Sequence, residues 1–198
     1  MAYPTVSVPY GLVPVNRIDG MAYAGQTRLI PIASGYATAI FFGDTVKVDG
    51  TGFLVADTGT NNAAPVGVLV GAQYVNSSGQ KVQGQFYPAG LSTSTNVALG
   101  YVVDDPMAAF KVAVVSSGTT IASVGRAVVG SNMTLVQTAG TTATGNSYVA
   151  VLSTSTSTTN TLPVRVIDVV PESATGADVF TELVVKINTH QYNSTTGV

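Results

Sequence analysis

The stretch from Gly43 to Tyr74 decides the fold class. It reads Gly-Asp-Thr-Val-Lys-Val-Asp-Gly-Thr-Gly-Phe-Leu-Val-Ala-Asp over residues 43–57, continues through a polar loop, and ends with Pro-Val-Gly-Val-Leu-Val-Gly-Ala-Gln-Tyr over residues 65–74. Residues 45–48 alternate as a half-buried strand requires, and Asp49-Gly50 favours a reversal of the chain. Residues 53–56 then supply the return strand, so the sequence predicts a β-hairpin.

The segment after the polar loop predicts a third strand. Val66, Val68 and Val70 are expected to share one face, while Gly67 and Gly71 fall on the other. A glycine in a strand leaves room for a second backbone to approach closely. This part of the chain is therefore suited to close packing, either within the protein or against a neighbouring subunit.

The composition extends the β prediction to the whole chain. Its 198 residues are 45% hydrophobic and include 21 Gly and 9 Pro, and Val and Thr far outnumber Leu. β-branched residues favour strands, and turn signals recur about every ten residues, as in antiparallel β proteins. We predict an all-β fold, an antiparallel β-barrel or β-sandwich with an extended N-terminal arm and at most one short helical turn.

The predicted regions are an arm over residues 1–18, a β-barrel-like region over 19–116, a smaller C-terminal β region over 117–192 and a tail over 193–198. The sequence leaves open whether the two β regions share one core. Four local predictions accompany this division. Residues 38–42 and 127–129 are strand candidates, Asp105-Pro106 caps a single helical turn that reaches Phe110, and the Ser/Thr tract over 153–161 forms a mobile loop.

The predicted arm contains Pro4, Pro9 and Pro14, each of which favours extended geometry. Tyr3 and Tyr10 are large apolar anchors with a polar tip. We therefore predict that Tyr3, Pro4, Pro9 and Tyr10 contact another subunit. A frayed terminus, or an edge strand of the same domain, is an equally good interpretation of this segment.

The charge content indicates which partners to expect. Only 9% of the residues are charged and the formal net charge is −2, a surface suited to lasting contacts with little repulsion between copies. A secreted domain with a neutral surface is the alternative. The basic residues are scattered singly, so no nucleic-acid partner is expected. Residues 65–72, the longest apolar stretch, are too short to span a bilayer, and the N-terminus lacks a secretory signal pattern.

The groups that carry catalysis are sparse. There is no Cys, His190 is the only histidine, and no Gly-x-Ser-x-Gly elbow is present, so His190 is expected to be a hydrogen-bonded structural residue. Asp104 and Asp105 are adjacent, which suits capping better than a shared acid–base site. Residues 57–62 lack the spacing of a calcium loop and favour turn chemistry. We predict that the chain is not an enzyme and binds no metal or cofactor.

Six short motifs, in this order along the chain, carry a resemblance to a known family. They are Pro9-Tyr10-Gly11-Leu12, Gly35-Tyr36-Ala37, Gly43-Asp44-Thr45-Val46-Lys47, Pro65-Val66-Gly67-Val68, Tyr101-Val102-Val103-Asp104-Asp105-Pro106 with Phe110, and Val185-Lys186-Ile187-Asn188-Thr189-His190-Gln191-Tyr192. The chain resembles the head decoration, or cement, proteins of tailed bacteriophages, particularly those of marine and cyanobacterial phages. The resemblance runs nearly end to end and includes no catalytic residues.

The resemblance implies a structural virion protein. Such a protein is assembled in the host cytoplasm, binds the outer surface of a capsid as a homotrimer, and cements neighbouring capsomers of the expanded, DNA-filled head. Its partners would be the major capsid protein and its own copies. Tyr3, Pro4, Pro9 and Tyr10 are then candidate capsid or neighbour contacts.

The sequence leaves other functions to consider beside this one. An extracellular adhesin or carbohydrate-binding β-sandwich would use Tyr74, Phe86, Tyr87 or Tyr101 to stack on sugars. A hydrolase is disfavoured by the single His and the few carboxylates, and a major capsid protein by the lack of a long helical pattern.

Overall fold

The computed structural model describes residues 7–21, 23–91, 98–173, 180–195 and 197. In these residues the chain forms strands and three short 3₁₀ turns, so the all-β prediction is confirmed. The strands are β1 Val13–Arg17, β2 Arg28–Ile32, β3 Thr45–Val48, β4 Leu54–Ala56, β5 Gly67–Val75, β6 Lys81–Gly84, β7 Ala98–Val103, β8 Ala108–Ser117, β9 Thr120–Ile121, β10 Asn132–Met133, β11 Leu135–Val136, β12 Ala150–Leu152, β13 Val164–Val169 and β14 Glu182–Ile187. The 3₁₀ turns are Arg126–Val128, Pro171–Ser173 and Gln191–Asn193.

The strands form two sheets, consistent with a β-sandwich. The six-stranded sheet has the order β2-β7-β5-β3-β4, with β6 also paired to β5. The eight-stranded sheet has the order β10-β13-β14-β8-β12-β11, and β1 and β9 also pair with β8. Pairing is antiparallel except that β12 runs parallel to β8. The described strands do not close into a barrel, so of the two predicted architectures the sandwich is the one observed.

The chain passes between the sheets at the turn from Asp104 to Met107, which joins β7 to β8. The boundary predicted between residues 116 and 117 lies in the β8–β9 hairpin, in which Ser117 pairs with Thr120. Strand β8 therefore belongs with the C-terminal strands.

The hairpin predicted from residues 45–56 is confirmed. Val46 pairs with Ala56 and Val48 with Leu54, and the Asp49 carboxylate accepts hydrogen bonds from the N–H groups of Thr51 and Phe53. A short polar side chain that satisfies nearby backbone donors stabilises a tight reversal. The β3–β4 pair is thus specified almost entirely by local sequence.

The third strand is also confirmed, with one correction. Val68 and Val70 lie toward the core beside the eight-stranded sheet, but Val66 precedes β5 and packs in the other core. The prediction for Gly67 holds, because a Cβ on Gly67 would lie 2.2 Å from the carbonyl oxygen of Val103. Close approach of β5 to β7 therefore requires glycine at this position.

The six-stranded sheet packs on both faces. Val68 of β5 and Val103 of β7 belong to the larger core, with Phe110 and other side chains of the eight-stranded sheet. Leu69 and Val102, their neighbours along the two strands, belong to a second core. Successive residues of a strand point to opposite faces, so each strand supplies both cores. Tyr87 and Ile40, which pair through an isolated bridge outside the strands, complete the second core.

Three local predictions are wrong. Residues 38–42 form isolated bridges at Ile40 and Phe42 but no strand, and residues 126–128 form a 3₁₀ turn between two glycines. The helical turn predicted at Asp105 is a β-turn: its carboxylate accepts from the Met107 N–H at 2.8 Å, and its carbonyl accepts from the Ala108 N–H. Strand β8 begins directly after this turn, because burial of Ala108 and Phe110 in the larger core favours the extended chain over a helical turn.

Part of the predicted arm is an edge strand of its own domain. Residues 13–17 form β1, in which Val13 pairs with Lys111 and Arg17 with Ala108, and the register shifts between Pro14 and Asn16. A proline and a bulge are typical of strands at the edge of a sheet. The edge-strand interpretation therefore describes this part of residues 1–18.

We expect Gly67→Ala to lower the free energy of unfolding by about 2 to 4 kcal/mol, because the new methyl group cannot coexist with the Val103 carbonyl unless β5 and β7 separate. Urea denaturation monitored by circular dichroism measures the loss. Gly50→Ala is the matched control: nothing lies within 4 Å of its Cβ position, and a change below about 0.5 kcal/mol is expected. Equal effects of the two substitutions would contradict the assignment.

Candidate functional site

The N-terminal segment is fixed to the protein by Tyr10. Its hydroxyl donates a hydrogen bond to Oε1 of Glu182 in β14, and the same carboxylate oxygen lies 3.3 Å from Nζ of Lys111 in β8. The Lys111 ammonium also lies 5.4 Å from the centre of the Tyr10 ring. Burial, followed by the hydrogen bond to Glu182 and its negative charge, raises the pKa of Tyr10 far above its usual value, so the hydroxyl remains a donor.

The next two residues make this anchorage rigid. Gly11 and Gly43 both have left-handed backbone conformations, with φ of 81° and 89°, and a Cβ on Gly11 would lie 2.8 Å from Cα of Gly43. The Leu12 N–H donates to the Gly43 carbonyl at 2.9 Å, and the Leu12 side chain is fully buried. The backbones at Gly11 and Gly43 can therefore come this close only because neither residue has a side chain.

The structure locates two of the four residues predicted from the sequence to contact a neighbour. Tyr3 and Pro4 lie outside the described residues. Pro9 is buried, and Tyr10 uses its hydroxyl and its ring face within its own chain. Ser7 and Val8 are exposed. Among the described residues from Ser7 to Leu12, Ser7 and Val8 are thus the exposed ones, and we call Pro9 to Leu12 the root of this segment.

A pocket of about 130 Å³ lies beside the hairpin and is lined by Asp44 and Asp57 among others. Asp57 is 2% exposed and accepts hydrogen bonds from the N–H groups of Gly59 and Ala64, as turn chemistry predicts. Asp44 accepts from the Phe41 N–H at 2.7 Å, and burial raises the pKa of Asp44 to about 6 against the opposing effect of its hydrogen bonds. Among the described residues no three His, Asp or Glu side chains come together in a way that could hold a metal ion.

The C-terminal segment is clamped to the six-stranded sheet. The Gln191 amide accepts from the Val48 N–H and donates to the Val48 carbonyl, both at 2.9 Å, so it pairs with β3 as another strand would. The Gln191 N–H donates to the Pro65 carbonyl, and the Thr189 hydroxyl to the Ala63 carbonyl at 2.5 Å. The clamp links the end of β14 in one sheet to the other sheet.

His190 caps the 3₁₀ turn of this clamp, which agrees with a structural role. It is 1% exposed, and its Nδ1 accepts a hydrogen bond from the Tyr192 N–H at 3.2 Å. The proton of the neutral ring therefore lies on Nε2, which is buried and has no partner of hydrogen-bond geometry among the described residues. Burial lowers the pKa of His190; the nearby charges of Asp104 and Asp105 oppose this shift without cancelling it.

Three segments that are bonded to the β7–β8 turn, or to one another beside it, each carry exposed apolar side chains. The Ile18 N–H bonds to the Met107 carbonyl, Arg17 joins Asp105 to Asp19, and the Asp19 carboxylate accepts from the Met21 N–H. On the other side of the turn, the Tyr192 hydroxyl donates to Asp104, and Arg28 both pairs with Asp104 and covers the Tyr192 ring. The large apolar residues exposed here are Ile18, Met21, Met107 and Tyr192, which we call the turn surface.

The turn surface was missed by the sequence analysis. Its members come from three segments that are distant in the sequence, and the sequence pattern at residues 105–107 favours a helical turn rather than an exposed β-turn. The remaining large apolar residues that the described chain exposes are Val8, Val15 and Leu29. The available signal was Met107 itself, a large apolar residue in a turn that begins Asp-Asp-Pro, where polar residues are the rule.

Comparisons with protein-family models, with curated proteins and with solved structures find no match for this chain. In the part of the chain that the structure describes, no helix has the length and apolar character needed to cross a membrane.

We expect the wild-type protein to lose stability as the pH falls below about 6.5, and His190→Asn to lose less. The unfolded chain binds a proton at the ordinary histidine pKa, whereas the folded state resists it, so acid favours unfolding. Asparagine keeps an oxygen that accepts from the Tyr192 N–H, as an N-cap should. Chemical denaturation at pH 7.5, 6.5 and 5.5, a series chosen to bracket the ordinary histidine pKa, measures both proteins.

Wild type and His190→Asn must be compared with each other because Asp44 titrates in an overlapping pH range and has the opposite effect on stability. Its pKa of about 6 in the folded state lies above the unfolded value of 3.8, so protonation of Asp44 between these values stabilises the fold. Asp44 is common to both proteins and cancels in the difference. Parallel stability curves for wild type and variant would show that His190 does not sense acid.

Proposed function

We propose that this chain is a structural virion protein that binds the outer surface of an assembled phage capsid and cements neighbouring capsomers. It would act as a homotrimer, with the major capsid protein and its own copies as partners, on virions assembled in the host cytoplasm. The virion role rests on the resemblance of the six motifs to phage decoration proteins.

The observation that carries an assembly role is the turn surface. Four of the seven large apolar residues that the described chain exposes lie around one turn, and the charged side chains among them are already paired. Exposed apolar side chains that form a contiguous patch are typical of protein–protein contact sites. Met, Tyr and Arg are also the residues enriched in such contacts. In a protein that functions within an assembly, this surface would contact a neighbouring protein.

The clamped ends also suit a protein under mechanical load. Tyr10 to Leu12 at one end, and Thr189 to Gln191 at the other, are each bonded to strands distant in sequence. A pull on the segment before Pro9 would be transmitted to β14 and β8 through Glu182 and Lys111. Several such subunits on a symmetric shell would hold it multivalently, which raises affinity by about 10² to 10⁴ without any new contact.

The carbohydrate-binding alternative gains little from the aromatic residues proposed for it. Tyr87 is fully buried and meets Tyr74 edge to face, with ring centres 6.4 Å apart. Phe86 is stacked on Phe41 at 5.4 Å. Sugar stacking needs an open aromatic face, whereas three of the four candidate rings, Tyr74, Phe86 and Tyr87, already pack against another ring of the protein.

We expect a variant lacking residues 1–8 to fold normally but to occupy capsids less fully than the intact protein. Residues from Pro9 onward hold the root in place, whereas a longer deletion would remove Leu12 from the core and β1 from β8. Occupancy is measured by adding each protein to shells stripped of it and quantifying the bound chain after sedimentation. Equal thermal melting of the two proteins confirms that the fold is retained.

A matched control weakens the attachment of the segment at Tyr10 and leaves the proposed capsid contact of residues 1–8 unchanged. Tyr10→Phe removes the hydroxyl that binds Glu182 but leaves residues 1–8 in place, so we expect a smaller loss of occupancy together with a lower melting temperature. If the shortened protein bound capsids as well as the intact one, the arm would have no role. If the intact protein did not bind capsids, the proposed function would be wrong.

A further inference from the structure

The ring of His190 is held in the clamp as a neutral group. It is 1% exposed, and its Nδ1 accepts a hydrogen bond from the Tyr192 N–H at 3.2 Å. Nε2 therefore carries the ring proton, and it has no partner of hydrogen-bond geometry among the described residues. A buried donor without a partner costs free energy. The ring thus supports the clamp through one hydrogen bond, in which it must be the acceptor.

Protonation of the ring would reverse that hydrogen bond. An imidazolium ring carries a proton on both nitrogens. Nδ1 would then direct an N–H at the Tyr192 N–H, so the cap of the 3₁₀ turn Gln191–Asn193 would be lost. Nε2 would remain without a partner on a ring that is now charged, and burial of an unpaired charge costs far more than burial of an unpaired neutral donor. Protonation therefore opposes the closed clamp at both nitrogens.

The charged groups that face the histidine ring are already paired with other side chains. Asp104 and Asp105, in the β7–β8 turn, are the carboxylates whose charges act on the ring. Asp104 lies 3.0 Å from Arg28, and Asp105 lies 2.6 Å from Arg17. Arg28 also covers the Tyr192 ring, whose centre lies 5.2 Å from that of the imidazole. The clamp's hydrogen bonds to β3 and to the segment before β5 are made by uncharged groups. Burial therefore outweighs the attraction of the two carboxylates.

The clamp can open while the sheets stay folded, because hydrogen bonds hold most of it. Its 3₁₀ turn contains no buried residue, and Tyr192 is 46% exposed. The Gln191 amide binds both backbone groups of Val48, and the Thr189 hydroxyl binds the Ala63 carbonyl. A segment that buries little apolar surface opens at a lower free energy than a core does. In the open segment the ring is in water and titrates at its ordinary pKa of about 6.5.

We propose that His190 is a pH switch: when its ring takes up a proton, residues 189–193 leave β3 and the segment before β5, while both sheets remain folded. The sheets then lose the link that the clamp provides at this end, and Tyr192 leaves Asp104 and Arg28. The response to acid is thus a local event that precedes unfolding of the whole chain. The switch goes beyond the proposed function and does not depend on capsid binding.

The test is amide hydrogen exchange of the full chain, followed by NMR at pH 7.5 and 5.0, which bracket the ordinary histidine pKa. Each rate is divided by the intrinsic chemical rate at that pH. The reporters are the N–H groups of Val48 and Tyr192, which donate to Gln191 and His190. Uptake of one proton by the open segment predicts that their protection falls about ten- to thirtyfold at pH 5.0. Leu69 of β5 should stay about a hundredfold better protected, because its exchange requires the sheet to open.

Two variants separate the effect of the proton from that of the other contacts. His190→Asn keeps a cap acceptor but does not titrate, so the protection of Val48 and Tyr192 should be the same at both pH values. Thr189→Val removes the hydroxyl bond to Ala63 but keeps the histidine. It should lower the protection about two- to tenfold at each pH and leave the pH dependence unchanged. Thermal melting at pH 7.5 shows whether each variant folds.

The wild type alone also tests the switch, because His190 is the only histidine and its NMR titration needs no variant. An apparent pKa below 6.5, with loss of protection at Val48 and Tyr192 over the same pH range, supports it. A pKa at or above 6.5 would overturn it, because the closed clamp would then bind the proton as well as water does. Constant protection from pH 7.5 to 5.0, an equal loss in His190→Asn, or reporters as well protected as Leu69 would each overturn it too. The occupancy measurements test capsid binding separately.

Discussion

The contact between Gly11 and Gly43 is the constraint on which the rest of the structure depends. Both backbones adopt left-handed conformations that favour glycine, and neither position has room for a Cβ. The Leu12 N–H binds the Gly43 carbonyl, and the Gly43 N–H binds the carbonyl of Leu69 in β5. The N-terminal segment is therefore bonded to the six-stranded sheet just before it joins the eight-stranded sheet as β1. The position of Tyr10 on Glu182 follows from this crossing.

The C-terminal segment is also bonded to the six-stranded sheet, but by side chains instead of a close approach of two backbones. Gln191 satisfies both backbone groups of Val48, and His190 caps the turn that carries it. Because the cap also places Tyr192 against Asp104, the clamp forms one side of the turn surface. The surface thus exists only when three distant segments have folded together. A surface built in this way is present in the native state and absent from the unfolded chain.

The parts of the fold that the sequence predicted are those specified locally. The β3–β4 hairpin follows from alternation and the Asp49 turn, and Gly67 follows from a glycine in a strand facing another strand. Long-range pairings leave no such local signal. The Ser/Thr tract over 153–161, expected to be a mobile loop, is bonded through Ser157 to Asn132, whose amide also reaches the Thr159 carbonyl. Likewise, nothing adjacent in sequence connects Met107 with Ile18 or Tyr192, so the turn surface could not be found before the topology was known.

The central claim, that this chain is a many-copy component of a phage shell, is tested most directly by its stoichiometry in purified virions. Quantitative mass spectrometry of the particles gives the ratio of this chain to the major capsid protein. We expect a fixed ratio with many copies per particle, as symmetric binding over the shell requires. A trace amount, or absence from the particles together with glycan binding by the isolated protein, would contradict the claim.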